Sequence, residues 1–276
     1  MTFREKLLAA QRRQCSLVCI GLDTDPQRLP NHLQGSRNGV SEFNRRIVEA
    51  TQDLVCAYKP NLAFYEALGS AGWDALQETV ALIPKELVTI GDAKRGDIGN
   101  TAEQYAKALF GHLKFDAITI NAYLGRDSVE PFVRSPEHGA FILALTSNPG
   151  SKDFQRLKIG KGPLYEKLVR SSVKWNTNDN IGIVVGATHP KELKTIRALA
   201  PTLPILIPGI GTQGGDLRTS IRFGCDQHGE LAIINSGRAI LYASSGEDFA
   251  DVARREAVKL RDEIRRYQNE FFGRIT

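Results

Sequence analysis

Two carboxylates bracket one lysine in Asp92-Ala93-Lys94-Arg95-Gly96-Asp97-Ile98-Gly99-Asn100-Thr101. The stretch follows an apolar, β-branched run, Leu87-Val88-Thr89-Ile90, so it reads as the end of a strand leading into a loop. Residues two apart on a strand share a face, so Asp92 and Lys94 project together and Asp97 follows on the turn. Charge is costly to pack at a strand end, and it is seldom placed there without a use. The carboxylates favour the ammonium, and the ammonium favours both carboxylates. Such a group can hold a proton beside a developing negative charge. A lone Asp-x-Lys reads as a surface ion pair; the longer Asp-x-Lys-x-x-Asp-Ile-x-x-Thr is far more specific.

The elements that must position these groups are eight short apolar runs: Leu17–Leu22, Leu54–Tyr58, Leu87–Ile90, Ala117–Ile120, Phe141–Leu145, Ile181–Val185, Ile205–Ile207 and Leu231–Ile234. They are almost continuously apolar, as strands covered on both faces are. Helix-like segments lie between most of them. Ser41 and Asn100 stand where helix N-caps belong, and Pro163 and Pro190 suit first turns. Thr2 and Glu5 form a capping box for an N-terminal helix. After Gly246, Phe249, Val252, Leu260 and Ile264 make a C-terminal helical stripe. Alternating strands and helices imply right-handed βαβ units. Eight of them predict an α/β fold, a (β/α)8 TIM barrel with extra N- and C-terminal helices, as a single domain over residues 1–276. The connection from Ser147 to Asn180 is the one insertion-like region, with an exposed start from Ser151 to Gly162.

Barrel chemistry sits at the C-terminal ends of strands. Those ends carry Asp23, Lys59, Asp92 with Lys94, Asn121, Ser147, Pro208 to Gly215, and Asn235 to Arg238. The last two clusters suit a phosphate. Glycines let backbone N–H groups approach an anion, Arg238 adds charge-assisted bonds, and Gln213 adds a neutral donor. His112, His138, His189 and His228 have no ligand spacing and read as surface or loop residues.

Composition bounds the rest. Thirty-six Lys+Arg against 31 Asp+Glu give a net charge of +5, spread along the chain without a basic block. Nucleic-acid binding is not suggested, whereas a small anionic substrate is compatible. The four cysteines form no CxxC pair, and Cys19 and Cys56 read as buried thiols. No metal site is indicated. No apolar run approaches the length of a membrane span, and the N-terminus lacks a signal-peptide pattern. The expectation is a soluble, cytoplasmic protein.

Over nearly its whole length, from Gly21-Leu22-Asp23 to Gly237-Arg238, the chain resembles orotidine 5′-phosphate decarboxylase, in particular the longer bacterial subgroup. Asp92-x-Lys94-x-x-Asp97-Ile98-x-x-Thr101 carries the resemblance; Lys59-Pro60-Asn61 and Pro208-Gly209-Ile210-Gly211-x-Gln213 support it. The resemblance implies conversion of orotidine 5′-phosphate to UMP and CO2, the last step of de novo UMP synthesis, without metal or organic cofactor. Lys94 would donate the proton to C6, and Asp92 would face the substrate carboxylate. Asp97, Ile98 and Thr101 would reach the partner's site in a homodimer. Asp23 and Lys59 would hold ribose hydroxyls, Ser147 the pyrimidine, and Pro208 the apolar pocket for CO2. Gln213, Gly237 and Arg238 would grip the phosphate. One rival is a Mg2+-dependent sugar-phosphate enzyme on the same barrel, such as a hexulose-phosphate synthase. It shares Asp-x-Lys-x-x-Asp but needs a carboxylate where Lys59 stands; Glu66 is seven residues further on. A second rival is a catalytically silent nucleotide binder.

Overall fold

A computed structural model of the chain describes residues 1–160, 162–210 and 216–273. Ten strands are present among them: β1 (Val18–Leu22), β2 (Ala57–Pro60), β3 (Val88–Arg95), β4 (Ala117–Ile120), β5 (Gly139–Leu145), β6 (Lys158–Ile159), β7 (Gly162–Pro163), β8 (Ile181–Val185), β9 (Ile205–Pro208) and β10 (Ala232–Ser236). All but β6 and β7 form a closed barrel in the order β1-β10-β9-β8-β5-β4-β3-β2. Every barrel ladder is parallel. The eight apolar runs are thus the eight barrel strands, and the helices between them cover the outer face.

The N-terminal helix, Phe3–Gln14, has the expected capping box. It closes the bottom of the barrel. Its Phe3 meets Phe141 edge-on at 5.8 Å, and Phe3, Leu7 and Ala10 join a buried cluster with barrel residues Val88, Ile90 and Leu206. Gln11 donates to the Ala232 carbonyl at 2.8 Å and accepts from the Leu231 N–H at 3.1 Å. With that end stopped by apolar packing, the cleft opens at the other. The C-terminal helix, Phe249–Phe272, lies on the helix Gly39–Thr51, where Phe43 and Phe249 stack at 4.8 Å. Phe249 and Ile264 of the expected stripe are buried, and Val252 and Leu260 are partly so.

Some local expectations need correction. Ser41 and Asn100 are not caps: their helices begin earlier, at Gly39 and Gly99, so both lie inside the first turn. Pro163 precedes its helix, Leu164–Trp175, while Pro190 opens Pro190–Leu199 as expected. Two helices between β2 and β3, Leu62–Glu66 and Ser70–Leu82, escaped the sequence reading because Gly69 and Gly72 look like breakers. Gly69 does break the chain, at φ +64°. Gly72 has a packing role, since a Cβ there would stand 1.8 Å from the Tyr65 carbonyl.

A buried polar knot holds the end of β1. Thr24 donates to Asn44 Oδ1 at 2.6 Å, Asn44 Nδ2 reaches Tyr65 Oη at 3.0 Å and Thr79 Oγ1 at 2.9 Å, and Tyr65 donates to the Leu22 carbonyl at 3.2 Å. Removing one member strands the others in a dry site. Asn44→Ala should lower stability by about 2–4 kcal/mol, seen as a lower urea midpoint at unchanged slope. A midpoint equal to wild type would show the knot to be incidental.

Candidate active site

At the C-terminal mouth of the barrel, β2 and β3 deliver three charges to one point. Lys59 Nζ lies 2.7 Å from Asp92 Oδ2, and Lys94 Nζ lies 2.7 Å from Asp92 Oδ1. Lys59, on β2, is 4% exposed. Burial opposes its charge, but Asp92 and then Asp23 more than offset that and lift its titration above the ordinary lysine range. Burial also opposes ionisation of Asp92. Lys59 and Lys94 overcome it and hold the carboxyl well below the usual carboxylate range.

Strand periodicity places Asp92 and Lys94 on one side, and they do meet, but through irregular backbone. The β3–β4 register runs from Gly91↔Ile118 to Arg95↔Ile120, so β3 advances four residues while β4 advances two. Two extra residues bulge out, and within the bulge Lys94 is left-handed at φ +49°. Beneath the charges, Cys19 is buried as expected. Burial pushes its thiol up to about 12, so it stays neutral, with Sγ 3.5 Å from Asn235 Oδ1.

These groups open onto a cavity of about 220 Å3. Asp23, Lys59, Asp92 and Lys94 line one part of it, and Asp23 Oδ1 is a buried acceptor with no partner. Leu143, Val184, Leu206 and Pro208 give it an apolar part, with Ser147 beside them. Gly237 and Arg238 line the far side, and Arg238 forms no ion pair among the described residues. The chain leaving β10 passes close to β1 there: a Cβ on Gly237 would stand 3.2 Å from the Gly21 carbonyl oxygen, a tight contact. Gln213 lies outside the described residues.

Asp97, Ile98 and Thr101 do not line this cavity. Asp97 is half-buried and accepts from the Ile98 N–H at 2.8 Å, while Ile98 and Thr101 are exposed. Two residues the sequence reading passed over belong to the site's frame. Thr119 lines the cavity and bonds Asp92 Oδ1 at 2.9 Å. His189, taken for a loop residue, lies 3.0 Å from the Thr146 carbonyl through Nε2 and 3.0 Å from Arg156 through Nδ1. An arginine only donates, so Nδ1 accepts and the proton sits on Nε2. Gln155 holds the Thr146 N–H at 2.8 Å. The insertion therefore buttresses the strand end that carries Ser147. His138 lies in the loop before β5, as read, and stacks on Phe110 at 4.3 Å.

A closed parallel barrel with an acid–base cluster and an arginine lining the cavity at its C-terminal mouth is the architecture of a β/α-barrel enzyme acting on a small anionic substrate. Comparison gives the particular family. The family model described as "Orotidine 5'-phosphate decarboxylase / HUMPS family" matches residues 16–251. The orotidine 5′-phosphate decarboxylase of Dehalococcoides mccartyi is 52% identical over 275 residues, 98% of this chain and 100% of that protein. That of Herpetosiphon aurantiacus is 51% identical over 257 residues, 92% and 95% of the two chains. Among solved structures, Leishmania donovani OMP decarboxylase superposes with a TM-score of 0.86 at 39% identity, covering 97% of this chain and 99% of that one. The chain belongs to the orotidine 5′-phosphate decarboxylase / HUMPS family.

The pair chemistry sets a pH dependence. A depressed folded-state carboxyl contributes stability above its unfolded value, about 3.9 for aspartate, and loses it as pH falls through the lower folded value. At neutral pH, Asp92→Asn leaves Lys59 buried beside a neutral group and should cost about 3 kcal/mol. The gap to wild type should close as pH falls below about 4. Urea midpoints across that range check it; a gap independent of pH would refute the charged pairing.

Proposed function

We propose that this chain decarboxylates orotidine 5′-phosphate to UMP and CO2 and that residues 1–276 act as one catalytic unit. The observation that carries the reading is Asp92 held between Lys59 and Lys94 at the barrel mouth. Curated relatives of about half identity, matching nearly end to end, bear the decarboxylase name.

The chemistry follows from the placement. Cleaving the C6–carboxylate bond releases CO2 and leaves the electron pair on C6, a vinylic carbon with no ring orbital to spread it. The barrier must fall by electrostatics. The Lys94 ammonium stands where that charge develops, stabilises it, then gives its proton to C6; solvent later reprotonates the amine. Asp92 orients Lys94 and faces the substrate carboxylate. Lys59 keeps Asp92 ionised and, with the unpartnered Asp23 Oδ1, receives ribose hydroxyls. Ser147 meets the pyrimidine. Leu206 and Pro208 offer the departing CO2 an apolar surface. Gly237 and Arg238 take the phosphate, with Gln213 from the loop after β9. The required rate effect lies near the upper end of the ~8–23 kcal/mol range of enzymes, so binding energy from the remote phosphate must assist the chemistry.

The Mg2+-dependent reading loses support at β2. Its carboxylate position holds a buried lysine, and Glu66 is engaged with Arg95. We further propose a homodimer with shared sites. The support is the position of Asp97, Ile98 and Thr101 outside their own cavity, with Ile98 55% exposed. No helix among the described residues is long and apolar enough to cross a membrane, and the four cysteines are free thiols. Free thiols suit a reducing compartment, and we place the enzyme in the cytoplasm.

The test is the absorbance change as orotidine 5′-phosphate becomes UMP, with EDTA present. Wild type should turn over, and Lys94→Ala should lose at least about 1,000-fold in kcat. Turnover only after adding Mg2+ with a sugar phosphate would replace the reading; no turnover of either substrate by folded protein would leave the silent binder. Mixing Lys94→Ala with Asp97→Ala protein tests the shared site. One site of each mixed dimer then carries both defects and the other none, so activity should reappear. No recovery despite subunit exchange would refute sharing.

A further inference from the structure

The buried helical threonines spend their hydroxyls locally: Thr51 donates to the Ile47 carbonyl and Thr79 to the Ala75 carbonyl, each within its own helix. Thr119, 1% exposed on β4, does otherwise. Its Oγ1 accepts the backbone N–H of Lys94 at 3.0 Å and donates to Asp92 Oδ1 at 2.9 Å. Both bonds cross to the bulge of β3, where the ladder between Gly91 and Arg95 is interrupted. The hydroxyl thus replaces the missing ladder bond. It also spans the two groups on which proton transfer depends.

The backbone at Lys94 explains why such a tie is needed. A left-handed non-glycine residue costs about 1–2 kcal/mol and persists only where its surroundings hold it. Asp92 has a parallel problem. Its Oδ1 already receives Lys94 Nζ at 2.7 Å, and a carboxylate free to swing would carry the ammonium with it. One hydroxyl with a single proton and a directed lone pair fixes both.

We propose that Thr119 is a positioning residue of the decarboxylation: its hydroxyl locks the Lys94 backbone and the Asp92 rotamer together, so that the ammonium meets C6 in line for proton transfer. The proposal rests on Lys94 being the proton donor. It makes no use of contact between Thr119 and substrate, and it predicts an effect on the chemical step rather than on binding.

The experiment compares wild type, Thr119→Val, Thr119→Ala and Thr119→Ser in orotidine 5′-phosphate kinetics, UMP affinity by calorimetry, and thermal melting. Valine keeps the shape and removes the hydroxyl; serine keeps the hydroxyl. Thr119→Val should lose about 100-fold in kcat, with KM and UMP affinity within about threefold of wild type. Thr119→Ser should recover most of the loss. Should the valine protein not fold, Thr119→Ala carries the same test. Wild-type kcat in the valine protein would overturn the proposal. So would a serine protein as impaired as valine, a rise in KM equal to the loss in rate, or unfolding of both hydroxyl-free variants. Absence of turnover in folded wild type would instead overturn the decarboxylase reading, and this proposal with it.

Discussion

A buried ammonium is the constraint to which the rest of the structure answers. Moving an unpaired charge into a barrel wall costs several kcal/mol even after relaxation. Lys59 is almost wholly buried on β2, so its partner must arrive from the next strand at a fixed height. The β2–β3 ladder supplies this: Ala57 pairs with Val88, Tyr58 with Thr89, and the register is kept to the bridge between Asn61 and Asp92. A one-residue slip would turn Asp92 to the opposite face and leave Lys59 without its ion pair. The pair thus specifies register as much as it serves chemistry.

Concentrating charge at one mouth requires that the other be closed without it. Phe3, Leu7 and Ala10 do this by apolar packing under the barrel. Arg12 of the N-terminal helix pairs with Glu230 at 2.6 Å at the rim, while the buried Gln11, uncharged, bonds the barrel backbone. The barrel therefore has a stable end and a reactive end. The reactive end carries backbone strain of its own, in the left-handed Lys94 and the bulge around it. Packing far from the cavity is what allows the fold to carry that strain.

Residues that break the pattern of their own strand could be read from the sequence. Lys59, Asp92 and Lys94 interrupt apolar runs, and Gly237-Arg238 ends one; each stands where expected. Thr119 was invisible for the converse reason, since a β-branched residue in Ala-Ile-Thr-Ile reads as ordinary strand. The bulge was hidden too: nothing local in Asp92-Ala93-Lys94 announces a left-handed lysine, which only the shorter path of β4 beside it imposes. His189 is a contact at a distance of 43 residues from Thr146, and no spacing rule reaches that far. The misplaced helix caps differ in kind. Ser41 has suitable chemistry, but the chain already turns helical at Gly39.

The motif alone does not separate the decarboxylase from a metal-dependent sugar-phosphate enzyme, because Asp-x-Lys-x-x-Asp serves both. The separation lies in what the carboxylate oxygens already do. Oδ2 of Asp92 accepts Lys59, and Oδ1 accepts both Lys94 and Thr119. Mg2+ takes oxygen ligands at about 2.0–2.1 Å, so it would have to displace an ammonium from either oxygen while sitting beside two positive charges. The alternative donor, Glu66, is held by Arg95, which also lies over the Tyr105 ring at 5.4 Å. Replacing one carboxylate by a buried lysine thus converts a cation-binding mouth into one complementary to an anion, and that inversion suits a substrate carrying both a carboxylate and a phosphate.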